Sequence, residues 1–202
     1  MRILVDKGQK KQKHELKHNM LQKNGNELIP CPLPVGDYAV CTADAQAVID
    51  AKVKRSTVLH KYDLCGTYSV CVDTKRDIQE LIGDMQSDHE RFRDELLFAQ
   101  RNNIKLYILV DDNGGYLDRR KTIYNKPVTK IEDLFTWKNP RAFIFKGGRQ
   151  LYPKCTKGAV LAKSLITMEK KYGCTFLFCR KENAAERIVE LLKGGSECIH
   201  SQ

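Results

Sequence analysis

Two short stretches of the chain carry the residue types that hydrolyse phosphate esters. Gly36-Asp37 puts an acid at the entrance of a β-prone run, Tyr38-Ala39-Val40-Cys41. Val72-Asp73-Thr74-Lys75 ends another such run with an acid and a lysine two residues apart. In a strand, residues i and i+2 point to one face. Asp73 and Lys75 therefore share a side, and Asp37 reaches it if the two runs are neighbours. Two carboxylates turned to one space repel each other unless a cation sits there. Oxygen ligands of this kind suit Mg²⁺ or Mn²⁺. A lysine beside them steadies charge on a phosphate or orients a water. The chemistry so assembled is metal-assisted hydrolysis of a phosphodiester.

A sheet is needed to hold these residues. Ile3-Leu4-Val5 reads as a short buried strand ending at Asp6. Residues 14–22 are compatible with a helix, and 27–34 is extended and broken by Pro30, Pro32 and Pro34. The β-branched pair Val48-Ile49 suggests a strand within 47–52, and 55–66 reads as a polar loop. The run 69–73 is β-prone, and 77–85 and 89–102 are helical. In the second helix Phe92, Leu96 and Ala99 form an apolar stripe at i, i+4 and i+7. Lys105-Leu106-Tyr107-Ile108-Leu109-Val110 is apolar without alternation, as a strand buried on both faces would be. Residues 111–115 end it, 158–172 is helical, 175–179 is a buried strand, and 183–193 is a last helix that Gly194-Gly195 should stop. Strands followed by helices argue an α/β fold with a mixed sheet.

Composition narrows the partner. The 202 residues are 42% hydrophobic and 30% charged, which excludes a disordered tail, a collagen-like chain and a pure coiled coil. The longest apolar runs fall well short of the about 20 residues of a membrane span. The N-terminus lacks the apolar stretch of a secretory signal, so a cytoplasmic location, not a secreted one, is expected. The 35 Lys+Arg against 25 Asp+Glu give a net charge of +10, pointing to phosphate and above all to nucleic acid. Eight cysteines form no CxxC pair and are expected as free thiols in a reducing compartment.

Two further features compete for attention. His14-Glu15-Leu16-Lys17-His18 spells the H-E-x-x-H zinc motif. No third ligand follows at matching spacing, and the flanks Gln12, Lys13, Lys17 and Asn19 are polar. A solvated arm close to DNA phosphate is expected there in place of a zinc peptidase site. Between 114 and 157, Arg119, Arg120, Lys121, Lys126, Lys130, Lys138, Arg141, Lys146 and Arg149 are interleaved with Tyr116, Tyr124, Phe135, Trp137, Phe143 and Phe145. Most of these aromatics are expected in the core, with many of the cations facing DNA.

Leu33-Pro34-Val35-Gly36-Asp37-Tyr38, Val72-Asp73-Thr74-Lys75-Arg76-Asp77-Ile78-Gln79-Glu80-Leu81, His89-Glu90-Arg91-Phe92-Arg93-Asp94-Glu95-Leu96 and the 105–110 strand together resemble the XPF/Hef-type nuclease domain. This is a branch of the PD-(D/E)xK superfamily with the pattern GDx(n)ERKx(3)D. The likeness is greatest to short stand-alone phage and prophage members and runs from residue 1 to about 192. It implies a restriction-endonuclease-like mixed β-sheet flanked by helices. It also implies divalent-metal-dependent cleavage of DNA, often at flaps, forks or junctions, in a bacterial or phage-infected cell.

By this motif Asp37 and Asp73 are metal ligands and Lys75 the catalytic lysine. Asp73 stands where the family has Glu, Thr74 where it has Arg, and Gln79 at its last Asp, with Glu80 adjacent. The family's VDxRE run corresponds to Val5-Asp6-Lys7-Gly8-Gln9, keeping only Asp6 as a further metal-ligand candidate. Arg91 and Glu95, four apart on one helical face, are candidates to line the site or to form an exposed ion pair. Arg76, Arg91, Arg119, Arg120 and Lys121 are the DNA-binding candidates, with Glu80 and Glu95 lining the site.

The expectation is one nuclease domain over 1–202 with a basic excursion at about 114–157. It uses Mg²⁺ or Mn²⁺ and no small-molecule cofactor, binds branched or duplex DNA, leaves a homodimer open and has no membrane partner. The alternative class is a non-catalytic scaffold that binds branched DNA on a nuclease fold.

Overall fold

The computed structural model describes residues 1–8, 11–111, 116–117 and 124–197. Strand β1 (Arg2–Asp6) leads to helix α1 (Lys11–Lys23), β2 (Glu27–Cys31), β3 (Tyr38–Val40), α2 (Ala43–Lys54) and a 3-10 turn at Lys61–Leu64. Then come β4 (Val70–Lys75), α3 (Ile78–Gln86), α4 (His89–Arg101) and β5 (Lys105–Val110). Two small antiparallel pairs follow, β6 (Tyr116–Leu117) with β7 (Tyr124–Asn125) and β8 (Phe145–Lys146) with β9 (Arg149–Gln150). Between them lie 3-10 turns at Ile131–Phe135 and Pro140–Phe143. The described chain closes with α5 (Gly158–Tyr172), β10 (Thr175–Phe178) and α6 (Ala184–Glu197).

Six strands form one mixed sheet in the order β10-β5-β4-β3-β1-β2. β3 runs antiparallel to β1 and β4, and every other neighbour pair is parallel. The carboxyl ends of β1, β4 and β5 and the amino end of β3 therefore meet at one edge. Such an edge is where open α/β sheets bind ligands. β2 tolerates Pro30 because it is an edge strand, where one N–H has no ladder partner to lose.

Period-2 alternation divides the core between two faces. Leu4, Cys71, Leu106, Ile108, Phe176 and Phe178 pack with Leu81, Ile82, Phe92, Leu96, Leu161 and Leu165 of α3, α4 and α5. Ile3, Val5, Tyr38, Val70, Val72 and Leu109 pack on the other face with Leu21 of α1 and Ala185, Ile188, Leu191 and Leu192 of α6. β4 is buried at all six positions. This is a mixed sheet flanked by helices on both sides, as expected of an α/β nuclease fold. No described helix is long and apolar enough to cross a membrane.

The structure departs from the sequence expectations at several places. Val48-Ile49 is not a strand but the middle of α2, whose N-cap Thr42 accepts from the Ala45 N–H at 3.1 Å. Val48 and Ile49 pack partly buried against the core, and that tertiary contact overrides their β preference. The 55–66 loop contains the Lys61–Leu64 turn, which buries Leu64. α6 continues through Gly194-Gly195 to Glu197. The glycines cost about 1 kcal/mol each, and the buried Ile188, Leu191 and Leu192 offset this. The α1 segment is not a solvated arm: His14, Lys17 and Leu21 are buried. In the basic excursion Trp137 is buried, but Phe135, Phe143 and Phe145 are exposed, contrary to a mostly core placement. The cations Lys126, Lys130, Lys138, Arg141, Lys146 and Arg149 are exposed beside them. Residues 112–115 and the candidates Arg119, Arg120 and Lys121 lie outside the described residues.

Candidate active site

Strand pairing aligns the motif residues. The register Tyr38–Val72 and Ala39–Cys71 sets Asp37 beside Asp73, and the Asp37 N–H donates to the Val72 carbonyl at 2.9 Å. The Asp6 N–H donates to the Asp37 carbonyl at 3.0 Å, tying the end of β1 to the same edge. Gly36 makes the turn before Asp37 possible. Its φ is +72°, and a Cβ there would stand 3.1 Å from Cys71 Sγ, 3.2 Å from Cys71 Cβ and 3.3 Å from the Val72 carbonyl oxygen. Only glycine combines that backbone with so close an approach. An open cleft of about 1150 Å³ lies over this edge, lined by Asp6, Asp37, Asp73, Lys75, Arg76, Glu80, Asp84, Arg91, Glu95 and Asp111, among others.

The i, i+2 spacing brings Asp73 and Lys75 together. Lys75 Nζ lies 2.7 Å from Asp73 Oδ2 and 2.7 Å from Asp84 Oδ2, with both acids and the lysine buried. It also stands 5.1 Å from the centroid of the Phe92 ring. Neither Oδ2 receives a directed hydrogen bond among the described residues, so these are contacts of charge. Burial draws the Lys75 ammonium toward neutrality, but Asp73, Asp84 and Glu95 outweigh it and hold its pKa above the ordinary lysine value. Burial pushes the Asp73 carboxyl up to about 6. Lys75 opposes that rise, and the nearby Asp37 charge adds to it.

Asp37 is held from the other side of β4. Its Oδ2 accepts from the Thr74 N–H at 2.9 Å and from Thr74 Oγ1 at 2.5 Å. Burial raises its pKa, against these bonds and the two lysines Lys75 and Lys17. Lys17 Nζ reaches Thr74 Oγ1 at 3.0 Å and Asp111 Oδ2 at 2.5 Å, all three side chains being buried. Burial raises the Asp111 pKa as well, opposed by Lys17.

The remaining candidates take distinct places. Asp6 turns the chain: Oδ1 accepts from the Leu33 N–H at 2.9 Å and Oδ2 from the Gly8 N–H at 3.0 Å. Glu95 accepts from the Gly36 N–H at 3.1 Å, and its pKa is raised by burial and then by Asp73. Glu80 accepts from the Arg76 N–H at 2.7 Å and lines the cleft. Arg91 does not pair with Glu95. Its Nη2 lies 3.6 Å from Asp84 and 3.8 Å from Asp88, with the side chain mostly exposed at the rim. Arg76 is also exposed at the rim, its guanidinium on Asp77 at 2.9 Å.

Three buried charged residues of the cleft were not among the sequence candidates: Asp84, Asp111 and Lys17. No local spacing marks them, since each reaches the cleft through tertiary contacts. The histidines of H-E-x-x-H serve packing: the His14 and His18 rings are 6.0 Å apart and both lie against Tyr38, while Glu15 is exposed. The lysine of that motif, Lys17, lines the cleft.

The donor set suits a hard divalent cation. Asp37 and Asp73 crowd negative charge at the cleft edge, and both pKa values are raised. Among the described residues no three His, Cys, Asp or Glu side chains are gathered around one point. Mg²⁺ characteristically takes one or two protein carboxylates and fills its shell with water and substrate phosphate. The pair Asp37 and Asp73 meets that requirement.

The chain resembles solved structures. XPF from Aeropyrum pernix superposes with a TM-score of 0.52 at 14% identity, over 97% of this chain and 65% of that one. XPF from the same organism in complex with DNA superposes with a TM-score of 0.49 at 17% identity, over 100% and 68% of the two chains. At such identity the first likeness is one of fold, and this chain spans about two thirds of the solved chain's length. No curated protein sequence matches the chain. The ERCC4 domain model matches residues 5–192, nearly the whole sequence and all of the cleft just described. The chain thus belongs to the ERCC4 domain family.

Proposed function

We propose that this protein is a divalent-metal-dependent DNA endonuclease, one domain that hydrolyses phosphodiester bonds at flaps, forks or junctions. The observation that carries the reading is the convergence of Asp37, Asp73 and Lys75 on one sheet edge under an open cleft. The net charge of +10 and the exposed arginines at the rim support a polyanionic substrate.

In this reading Asp37 and Asp73 hold Mg²⁺ or Mn²⁺. Such a cation supplies, when bound, charge neutralisation at the phosphate and a water of lowered pKa. Lys75 remains protonated and therefore donates: it steadies charge on a phosphate oxygen and is no general base. Asp84 keeps Lys75 in place when Asp73 turns to the cation. Arg76 and Arg91 contact the flanking phosphates, sites of affinity that salt should weaken. Asp6 shapes the loop beside the acids and is a lesser ligand candidate, since both its oxygens already accept backbone N–H groups.

Labelled duplex, single-stranded, flap and four-way-junction DNA, incubated with Mg²⁺, Mn²⁺ or EDTA, test the proposal. Cutting of branched DNA that EDTA abolishes is expected. Binding without cutting under either metal would instead establish a DNA-binding scaffold.

A further inference from the structure

Thr74 sits between Asp73 and Lys75 on β4 and is buried. The side chain of Thr74 lies on the face of β4 opposite Asp73 and Lys75, toward α1. There the Lys17 ammonium meets it end-on at 3.0 Å. Lys17 comes from a different element, fifty-seven residues away in sequence, and is 5% exposed. We infer that Lys17 is a positioning residue that orients the Thr74 hydroxyl from α1. Through Thr74 it fixes the Asp37 carboxylate that holds the cation.

The proton positions follow from the groups. An ammonium has only donors, so Thr74 Oγ1 accepts from Lys17. Its single hydroxyl proton is then committed to Asp37 Oδ2, where the 2.5 Å contact lies. The same Oδ2 receives the Thr74 N–H at 2.9 Å, so the carboxylate is held by two donors from one residue. Asp111 closes the chain of contacts. It pairs with Lys17 on Oδ2, while Oδ1 is buried without a hydrogen bond among the described residues. A buried lysine without Asp111 would be an uncompensated charge. The Lys17–Asp111 pair thus mirrors Lys75–Asp84: on each face of β4 a buried lysine is backed by an acid from outside the motif.

This inference rests on the reading of Asp37 as a cation ligand, and calorimetric titration of the full chain with Mn²⁺ separates the two. Lys17→Ala should weaken Mn²⁺ binding about 10–100-fold, as loss of a group orienting a ligand does. Thr74→Val, which removes the hydroxyl between Lys17 and Asp37, should show a similar loss, and adding Lys17→Ala to it should cost little more. If Lys17→Ala fails to fold, Lys17→Met with Asp111→Asn removes both buried charges together and should show the same loss. Unchanged Mn²⁺ affinity in the folded Lys17 variant, or fully additive losses in Lys17→Ala with Thr74→Val, overturns the inference. Unchanged Mn²⁺ affinity in Asp37→Asn overturns the underlying site, which is a different failure.

Discussion

Lys75 and Asp84 meet at 2.7 Å, Nζ to Oδ2, although one ends β4 and the other lies in the last half of α3. The contact gives the lysine a second anion besides Asp73, so its charge does not depend on the residue proposed to hold the cation. Removing it should make Lys75 lean on Asp73 alone and compete with the metal. Asp84→Asn is expected to lower cleavage about 10–100-fold at limiting Mg²⁺ and to raise the Mg²⁺ concentration for half-maximal rate. A magnesium titration of cleavage rate reads both. An unaltered Mg²⁺ requirement would assign Asp84 to stability only.

The raised Asp73 pKa makes stability depend on pH. Burial first, and then the Asp37 charge, lift this carboxyl from 3.8 to about 6, so the folded metal-free protein binds its proton more tightly than the unfolded chain does. The stabilisation from that proton is complete below 3.8 and is lost as pH rises through about 6. Asp73→Asn has no charge to bury. In EDTA the wild-type melting temperature should therefore fall more between about pH 4 and pH 7 than that of Asp73→Asn does. Melting curves of both proteins across this range check it, and equal slopes would contradict it.

Much of this site was legible because strands have a period of two. That period alone put Asp73 and Lys75 on one side, and pairing of two β-prone runs brought Asp37 to them. The helices 89–102 and 158–172 and the central strand 105–110 were equally readable from their apolar spacing. Asp84, Lys17 and Asp111 were not, since each reaches the cleft through tertiary contacts that no local spacing encodes. The same holds for α2, where burial of Val48 and Ile49 against the core outweighed their strand preference.

Gly36 should prove irreplaceable. Gly36→Ala forces a side chain into a φ of +72° and against Cys71 and Val72. The expected cost is about 1–3 kcal/mol, with displacement of Asp37 and loss of cleavage beyond what the lower stability explains. Thermal melts beside rates measured well below the transition distinguish the two. A variant of wild-type rate and stability would show that the turn tolerates a Cβ.

The histidines and the glutamate of H-E-x-x-H should not form a zinc site. Protein purified without chelator should hold no stoichiometric zinc by elemental analysis. Glu15→Gln, altering an exposed side chain, should leave cleavage within about twofold of wild type. One zinc per chain, or a dead Glu15→Gln, would reverse the assignment.

The most direct measurement of the central claim is cleavage of a labelled flap substrate in Mg²⁺ by wild type and Asp73→Asn, with DNA affinity measured in parallel. Wild type should cut, and Asp73→Asn should lose at least about 10²–10³-fold in rate while binding the same DNA with little change. Cutting by Asp73→Asn at the wild-type rate would contradict a hydrolytic site built on Asp37, Asp73 and Lys75.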